Sequence, residues 1–268
     1  MIRVALIALF LVFTSTLSAQ SKTELKVNKH LVAGDTAKAL KKLNKGIGKF
    51  PNQSDLYLMR AKLKMQRNDL DPAMADLNSF CSLNETCEEA NFLKGKIRYQ
   101  QGDYAGCLAH FDGTKNSPFE EQALVYKGLA YMWQYQQVYA ENVFKEALKK
   151  FPNSTSALYN ACLLAYRMEK YAYANELANK LLQLSPNDKD AQLSQALIFT
   201  KLKKYVESNL LLREMQKTDE KNPTINYSIG VNYYHLEERD LACDYFRRAR
   251  DQGHDQAQMA LRNYCKGR

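Results

Sequence analysis

Residues 121–154 read EQALVYKGLAYMWQYQQVYAENVFKEALKKFPNS. Within this stretch Gly128, Ala140 and Ala147 are small, Tyr131 and Phe144 are bulky, and Pro152 closes the segment. Between Tyr126 and Tyr135 the apolar residues run more than halfway round a helix, the pattern of a helix packed on two neighbours. Pro152 stops the helix that precedes it.

Working outward, the small residue at Gly128 recurs at Ala61, Gly95, Cys162, Ala196 and Gly230, at spacings of 34, 33, 34, 34 and 34 residues taken in chain order. A second marker lies between these positions. Gly34-Asp35-Thr36, Asn68-Asp69-Leu70, Gly102-Asp103-Tyr104, Glu169-Lys170-Tyr171 and Lys203-Lys204-Tyr205 are each followed, three residues on, by Ala39, Ala73, Cys107, Ala174 and Ser208. A fixed period of this length is the signature of a stacked-repeat architecture. One helical hairpin of this size cannot bury its apolar stripe alone, so each must stack on the next and the last needs a cap.

The pattern resembles the tetratricopeptide repeat family, in which a 34-residue repeat forms two antiparallel helices. That family places small residues at repeat positions 8, 20 and 27, large ones at 11 and 24, and Pro at 32. Gly128, Ala140, Ala147, Tyr131, Phe144 and Pro152 fill all six, and Pro51 and Pro186 fill the last position in two other repeats. The resemblance implies an all-α, right-handed superhelical solenoid of about seven helix-turn-helix repeats over residues 20–256. The repeats begin near Gln20, Ser54, Glu88, Glu121, Thr155, Lys189 and Pro223, and a C-terminal capping helix covers 257–268. The first repeat departs from the pattern with His30 at position 11 and Gly46 at position 27. The third is one residue short and ends Gly113-Thr114-Lys115-Asn116-Ser117-Pro118, a candidate bend.

The composition fits. In 268 residues, 46% are hydrophobic and 25% charged, with only 11 Gly and 6 Pro, which excludes collagen-like, disordered and turn-rich all-β chains. The N-terminus has the layout of a secretory signal peptide over 1–19: Arg3, then ten apolar residues from Val4 to Phe13, then a small and polar stretch ending at Ala19. The apolar run is too short to span a bilayer, and no later run reaches 18 residues, so a mature chain without a transmembrane span is expected in the periplasm or at the cell surface. Charge is concentrated early: between Gln20 and Phe50 eight lysines stand against Glu24 and Asp35, a net of +6. A solvated helix face explains this, and so does a contact for an acidic partner or an anionic surface. Nucleic acid is not expected, as no DNA-binding motif accompanies the charge.

Catalytic signatures are lacking. There is no phosphate-binding loop, no His-Glu-x-x-His and no glycine-flanked serine elbow, and the four histidines are spread over three repeats. No enzyme, metal or cofactor is expected; a hydrolase with a site built across repeats is the remote alternative. The six cysteines suggest disulfides in an exported chain. Cys81 and Cys87 flank the turn between the second and third repeats, and Cys243 begins a helix that Cys265, at the end of the cap, lies against. Cys107 and Cys162 occupy small packing positions and are expected as buried thiols.

Function, on this resemblance, belongs to the concave surface lined by the first helix of each repeat. The third repeat would contribute Phe92, Lys96 and Tyr99, and the fourth Val125, Leu129, Met132 and Trp133. Tyr159, Leu163, Tyr166 and Arg167 come from the fifth, Leu193, Leu197 and Lys201 from the sixth, and Tyr227, Val231, Tyr234 and His235 from the seventh. Such an aromatic and aliphatic lining with a few cations suits a protein segment or peptide with apolar anchors. The alternative is that these side chains pack between repeats and fill the groove. The Lys/Asn set with which chaperone-binding members hold a carboxylate is absent, since Asn160 is not completed by Lys189 and Ser194. The expectation is a non-catalytic scaffold or adaptor of a cell envelope, the alternative a structural subunit of an envelope assembly or secretion complex working through convex faces and repeat ends.

Overall fold

A computed structural model describes residues 24–265, so the expected signal peptide lies outside the described residues. Every described element is a helix. Residues 24–32 form α1 and Thr36–Lys49 form α2. The pairs α3 (Ser54–Gln66) with α4 (Leu70–Ser82) and α5 (Glu88–Gln100) with α6 (Tyr104–Asp112) follow. Next come α7 (Glu120–Trp133) with α8 (Gln137–Lys150) and α9 (Thr155–Arg167) with α10 (Tyr171–Leu184). The last pairs are α11 (Lys189–Lys201) with α12 (Tyr205–Gln216) and α13 (Pro223–His235) with α14 (Arg239–Asp251), before a final α15 (Ala257–Tyr264).

The chain divides into two compact parts, an N-terminal half up to Ala130 and a C-terminal half from Tyr131, with the boundary inside α7. In the N-terminal half, α2 to α5 pack each on the next and α6 packs on α5; in the C-terminal half, α8 to α15 do so in chain order.

The turn inside each pair is built the same way seven times among the described residues. Gly34, Asn68, Gly102, Tyr135, Glu169, Lys203 and Glu237 all take φ between 58° and 78°. The next residue then donates its N–H five residues back, as from Asp35 to His30 and from Glu238 to Tyr233. This left-handed closure satisfies carbonyls that a helix end leaves unpaired. Asp35, Asp103, Ser154, Asp188 and Asn222 then cap the following helices by accepting main-chain N–H bonds.

The periodic small residue has a direct steric cause. A methyl at Gly95 would collide with the Phe111 ring, and one at Gly230 would lie 2.7 Å from the Phe246 ring and 3.2 Å from the Ala242 carbonyl oxygen. The short third repeat ends in a hydrogen-bonded turn. Thr114, fully buried, donates its hydroxyl to the Phe111 carbonyl at 2.7 Å, and Ser117 donates to the Thr114 carbonyl at 2.6 Å.

The two halves are held by different chemistry. In the N-terminal half, buried Asp76 accepts from Arg60 at 2.6 and 2.9 Å and pairs with Lys64 at 2.7 Å, joining α3 to α4. In the C-terminal half, buried Asn232 donates to Ser208 at 2.8 Å and Asn209 at 2.9 Å and accepts from Thr200 at 2.7 Å, joining α11, α12 and α13.

Cys243 and Cys265 are joined in a disulfide with Cα atoms 5.9 Å apart, fastening the end of α15 to α14. The other expected bridge is not formed: Cys81 and Cys87 are free thiols. The buried Lys94 ammonium uses the Cys81 sulfur as its hydrogen-bond acceptor at 3.4 Å. Burial, and then a hydrogen bond with Cys81, push the Cys87 thiol up to about 11. Cys107 and Cys162 are buried and free, both thiols pushed up to about 11 chiefly by desolvation.

Candidate functional site

The first helices of the repeats carry the expected binding residues, but the two halves use them differently. In the N-terminal half, Phe92 on α5 and Val125 on α7 are buried, only 5% and 8% exposed, and do not line an open surface. Phe92 is taken up by a cluster of rings: Phe119 stacks on it at 5.5 Å, and Tyr126 and Phe111 lie at 6.1 and 6.2 Å. Tyr99 meets Tyr126 edge-on at 5.3 Å, and Lys96 lies with its ammonium 5.6 Å over the Phe92 ring, a cation–π contact. Leu129 is half-buried. For Phe92 the packing alternative holds, because Phe119 and Tyr126 fill the space beside it, and Val125 is likewise buried.

The C-terminal half leaves the corresponding surface open. Met132, Tyr159, Leu163 and Leu193 are half-buried, and Arg167 is exposed at the end of α9. Trp133, at the end of α7, is 59% exposed. Tyr166, Leu197, Lys201, Tyr227 and Val231, from three successive repeats, come together around one cavity of about 370 Å³. Thr200, Thr224, Ser228, His254 and Gln256 complete its wall. Tyr234 and His235 lie outside this wall: Tyr234 packs on Tyr264 of the cap at 4.2 Å, and His235 stacks on Tyr205 at 4.8 Å.

Sequence reasoning missed His254, which reaches the cavity from the turn before α15. Its ring lies flat on Tyr227 at 4.1 Å and 11°. Burial holds its imidazole below the ordinary range, with Asp255 pulling the other way, so the ring is neutral near pH 7. Its Nδ1 is buried and makes no hydrogen bond. The one signal in the sequence was Gly253, which takes φ +89° and turns the chain back toward α13. Desolvation also raises the Tyr166 and Tyr227 phenols, as expected of hydroxyls on an apolar wall.

Chemically, the cavity offers two tyrosine rings, two aliphatic side chains, the small hydroxyls of Thr224 and Ser228, and one cation. Lys201 is exposed and pairs with no carboxylate among the described residues. Nothing in this set makes a nucleophile–base pair. Among the described residues there is also no group of three His, Cys, Asp or Glu placed to hold a metal ion. A second recess of about 160 Å³, in the first repeat, is lined by Lys26, Lys42, Lys45 and Lys49 around Gly46. No described helix is long and apolar enough to cross a membrane.

Comparison with known proteins agrees with the architecture. Residues 14–173 match the model of the tetratricopeptide repeat-like domain. The chain belongs to that family, and its fold is that of a protein–protein interaction scaffold. A tetratricopeptide repeat protein from Parabacteroides merdae superposes with a TM-score of 0.64 at 17% identity, over 91% of this chain and 98% of that one. The C-terminal part of a tetratricopeptide repeat-containing protein from Cytophaga hutchinsonii gives 0.72 at 16%, over 88% and 98%. PilW, a widely conserved type IV pilus biogenesis factor, gives 0.66 at 16%, over 77% and 96%. At these identities the likeness is one of fold alone. No curated protein matches the sequence.

Proposed function

We infer that the protein is a non-catalytic adaptor of a cell envelope that holds a protein segment against the first helices of its C-terminal repeats. The observation that carries this reading is the cavity of about 370 Å³, where Tyr166, Leu197, Lys201, Tyr227 and Val231 converge from three repeats. Rings and aliphatic side chains supply anchors for apolar residues of a ligand, and Thr224, Ser228 and His254 supply hydrogen bonds to its backbone. Lys201 and Arg167 favour an acidic residue beside the apolar anchor. The lysine-lined recess of the first repeat would orient an acidic partner at longer range, an effect that salt screens.

An envelope location is supported by the signal-peptide layout of residues 1–19, by the Cys243–Cys265 disulfide, which persists in oxidising compartments, and by the fold shared with PilW. A second reading, a structural subunit working through its convex face, is favoured by Val206 and Leu210, which leave one face of α12 apolar and exposed.

Affinity capture from a native envelope fraction separates the two. The parent chain is compared with a Leu197→Ser, Tyr227→Ala variant and with a Val206→Ser, Leu210→Ser variant, all checked for unchanged helicity. A partner lost only with the first variant supports the groove. A partner lost only with the second supports the convex face and removes the groove reading.

A further inference from the structure

Of the seven left-handed positions inside the helical pairs, six carry glycine, asparagine or a charged residue. Gly34, Asn68 and Gly102 suit the conformation intrinsically, and Glu169, Lys203 and Glu237 are charged side chains that water solvates. Tyr135 fits neither account. It is a bulky residue at φ +58°, and its side chain is 89% exposed. The residue that follows it is Gln136, which, like Asp69, Lys170, Lys204 and Glu238 at the same place, makes no side-chain cap to the next helix. Alone of the seven, this turn displays an aromatic ring at the left-handed position, where a bulky residue is uncommon.

The neighbourhood repeats the theme. Trp133, Val138 and Tyr139 are 59%, 63% and 62% exposed, and Tyr139 is held in place by stacking on Tyr131 at 5.5 Å and 24°. From Tyr131 to Ala140 there is no charged residue, although each of the other six turns carries at least one at its left-handed position or the residue after it. Gln136 and Gln137 are exposed among the rings.

We propose that the α7–α8 turn is a binding site for a neutral saccharide chain, with Tyr135, Tyr139 and Trp133 as stacking faces and Gln136 and Gln137 as hydroxyl partners. A pyranose presents an apolar C–H face edged by hydroxyls. An exposed aromatic ring covers the first by dispersion, and an amide, both donor and acceptor, meets the second. The lack of charge over ten residues argues against nucleic acid, phosphate headgroups and charged peptides, each of which is read by an opposite charge. The exposed amides argue against burial in hydrocarbon, where they would lose water without gaining partners. The site is separate from the cavity on α9, α11 and α13, and the inference stands without that reading.

Trp133 is the only tryptophan of the chain, so its emission reports on the site directly. Cellohexaose and chitohexaose, both uncharged, are titrated into the full chain, alongside phosphatidylcholine vesicles and a dilution series of the protein alone. A saturable blue shift with at least one hexaose is expected. Tyr135→Gly should weaken it at least about tenfold while leaving helicity intact and the thermal midpoint no lower, since Gly34 and Gly102 serve at the same place. Tyr139→Ser should weaken it in the same direction. The proposal is overturned if neither hexaose moves the emission at millimolar concentration, or if Tyr135→Gly binds as the parent does. A shift with vesicles alone would assign the turn to a membrane surface, and a shift with protein concentration alone to a second copy of the chain; both outcomes would replace it.

Discussion

Phe92 and Tyr227 stand at the same place in their repeats, the fifth residue of α5 and of α13, and they do different work. Phe92 is buried under Phe119, Tyr126 and Phe111, while Tyr227 is half-buried, carries the His254 ring and faces a cavity. The repeat geometry alone does not decide this; the neighbours do. Phe119 immediately precedes α7, whereas Ser154, Asp188 and Asn222 precede α9, α11 and α13 and turn their side chains to capping. Phe119 fills the surface beside Phe92, whereas the surface beside Tyr227 stays open. The same repeat position thus serves as core in the N-terminal half and as an open cavity wall in the C-terminal half.

The largest test of this contrast is a matched pair of truncations. Phe92→Ala should cost about 3–5 kcal/mol, the range for removing a buried ring, and Tyr227→Ala about half as much, measured by urea unfolding. Equal costs would mean that Tyr227 is as much a core residue as Phe92.

Reducing the Cys243–Cys265 disulfide should cost about 2–4 kcal/mol, because the bridge closes a loop of 22 residues and holds α15 in place. Thermal melts with and without reductant check this. Under the same treatment Cys243→Ser should show no further change. Hydrogen exchange should show the gain in opening on α14 and α15 and none on α5 or α6.

Asn232→Ala should cost about 1–3 kcal/mol, since it leaves Thr200, Ser208 and Asn209 with lost partners inside the C-terminal half. Asn232→Leu would not restore it, because the orphaned groups remain. A neutral result would show that the polar network is not what fixes α11, α12 and α13 together.

The smallest effect is on pH. The His254 imidazole lies below its ordinary value of about 6.5, first because of burial. The unfolded chain therefore binds the proton first as pH falls, so this group's contribution is complete above about pH 6.5 and is lost below it. His110 acts in the same direction in the N-terminal half, through burial and then the charges of Lys94 and Arg98. The fall in melting temperature between about pH 7 and 5.5 should be reduced by His254→Gln and, separately, by His110→Gln. A slope that neither variant changes would place the titration elsewhere.

Much of the fold was legible because its cause is local and periodic. The small residues at Gly95 and Gly230 mark where a ring crosses, and the 34-residue rhythm marks where a first helix must return. The site was legible only in part. Tyr166, Leu197, Lys201, Tyr227 and Val231 could be placed by register, but register does not report burial, so Phe92 and Val125 were assigned to a surface they do not line. His254 stands at repeat position 32, outside the first-helix positions that the register assigns to the concave surface, and the Cys81 and Cys87 thiols were near in sequence without being bridged.

By itself, then, the sequence determined an all-helical repeat, its period and its turns, because helix pattern, steric fit and capping each act over a few residues. Tertiary structure decided which equivalent residues became core and which stayed open. It also determined that Cys243 met Cys265 while Cys81 met Lys94, and that a histidine from the turn before α15 reached the cavity. Those outcomes depend on the volume and polarity of neighbours a full repeat away, which no local pattern records.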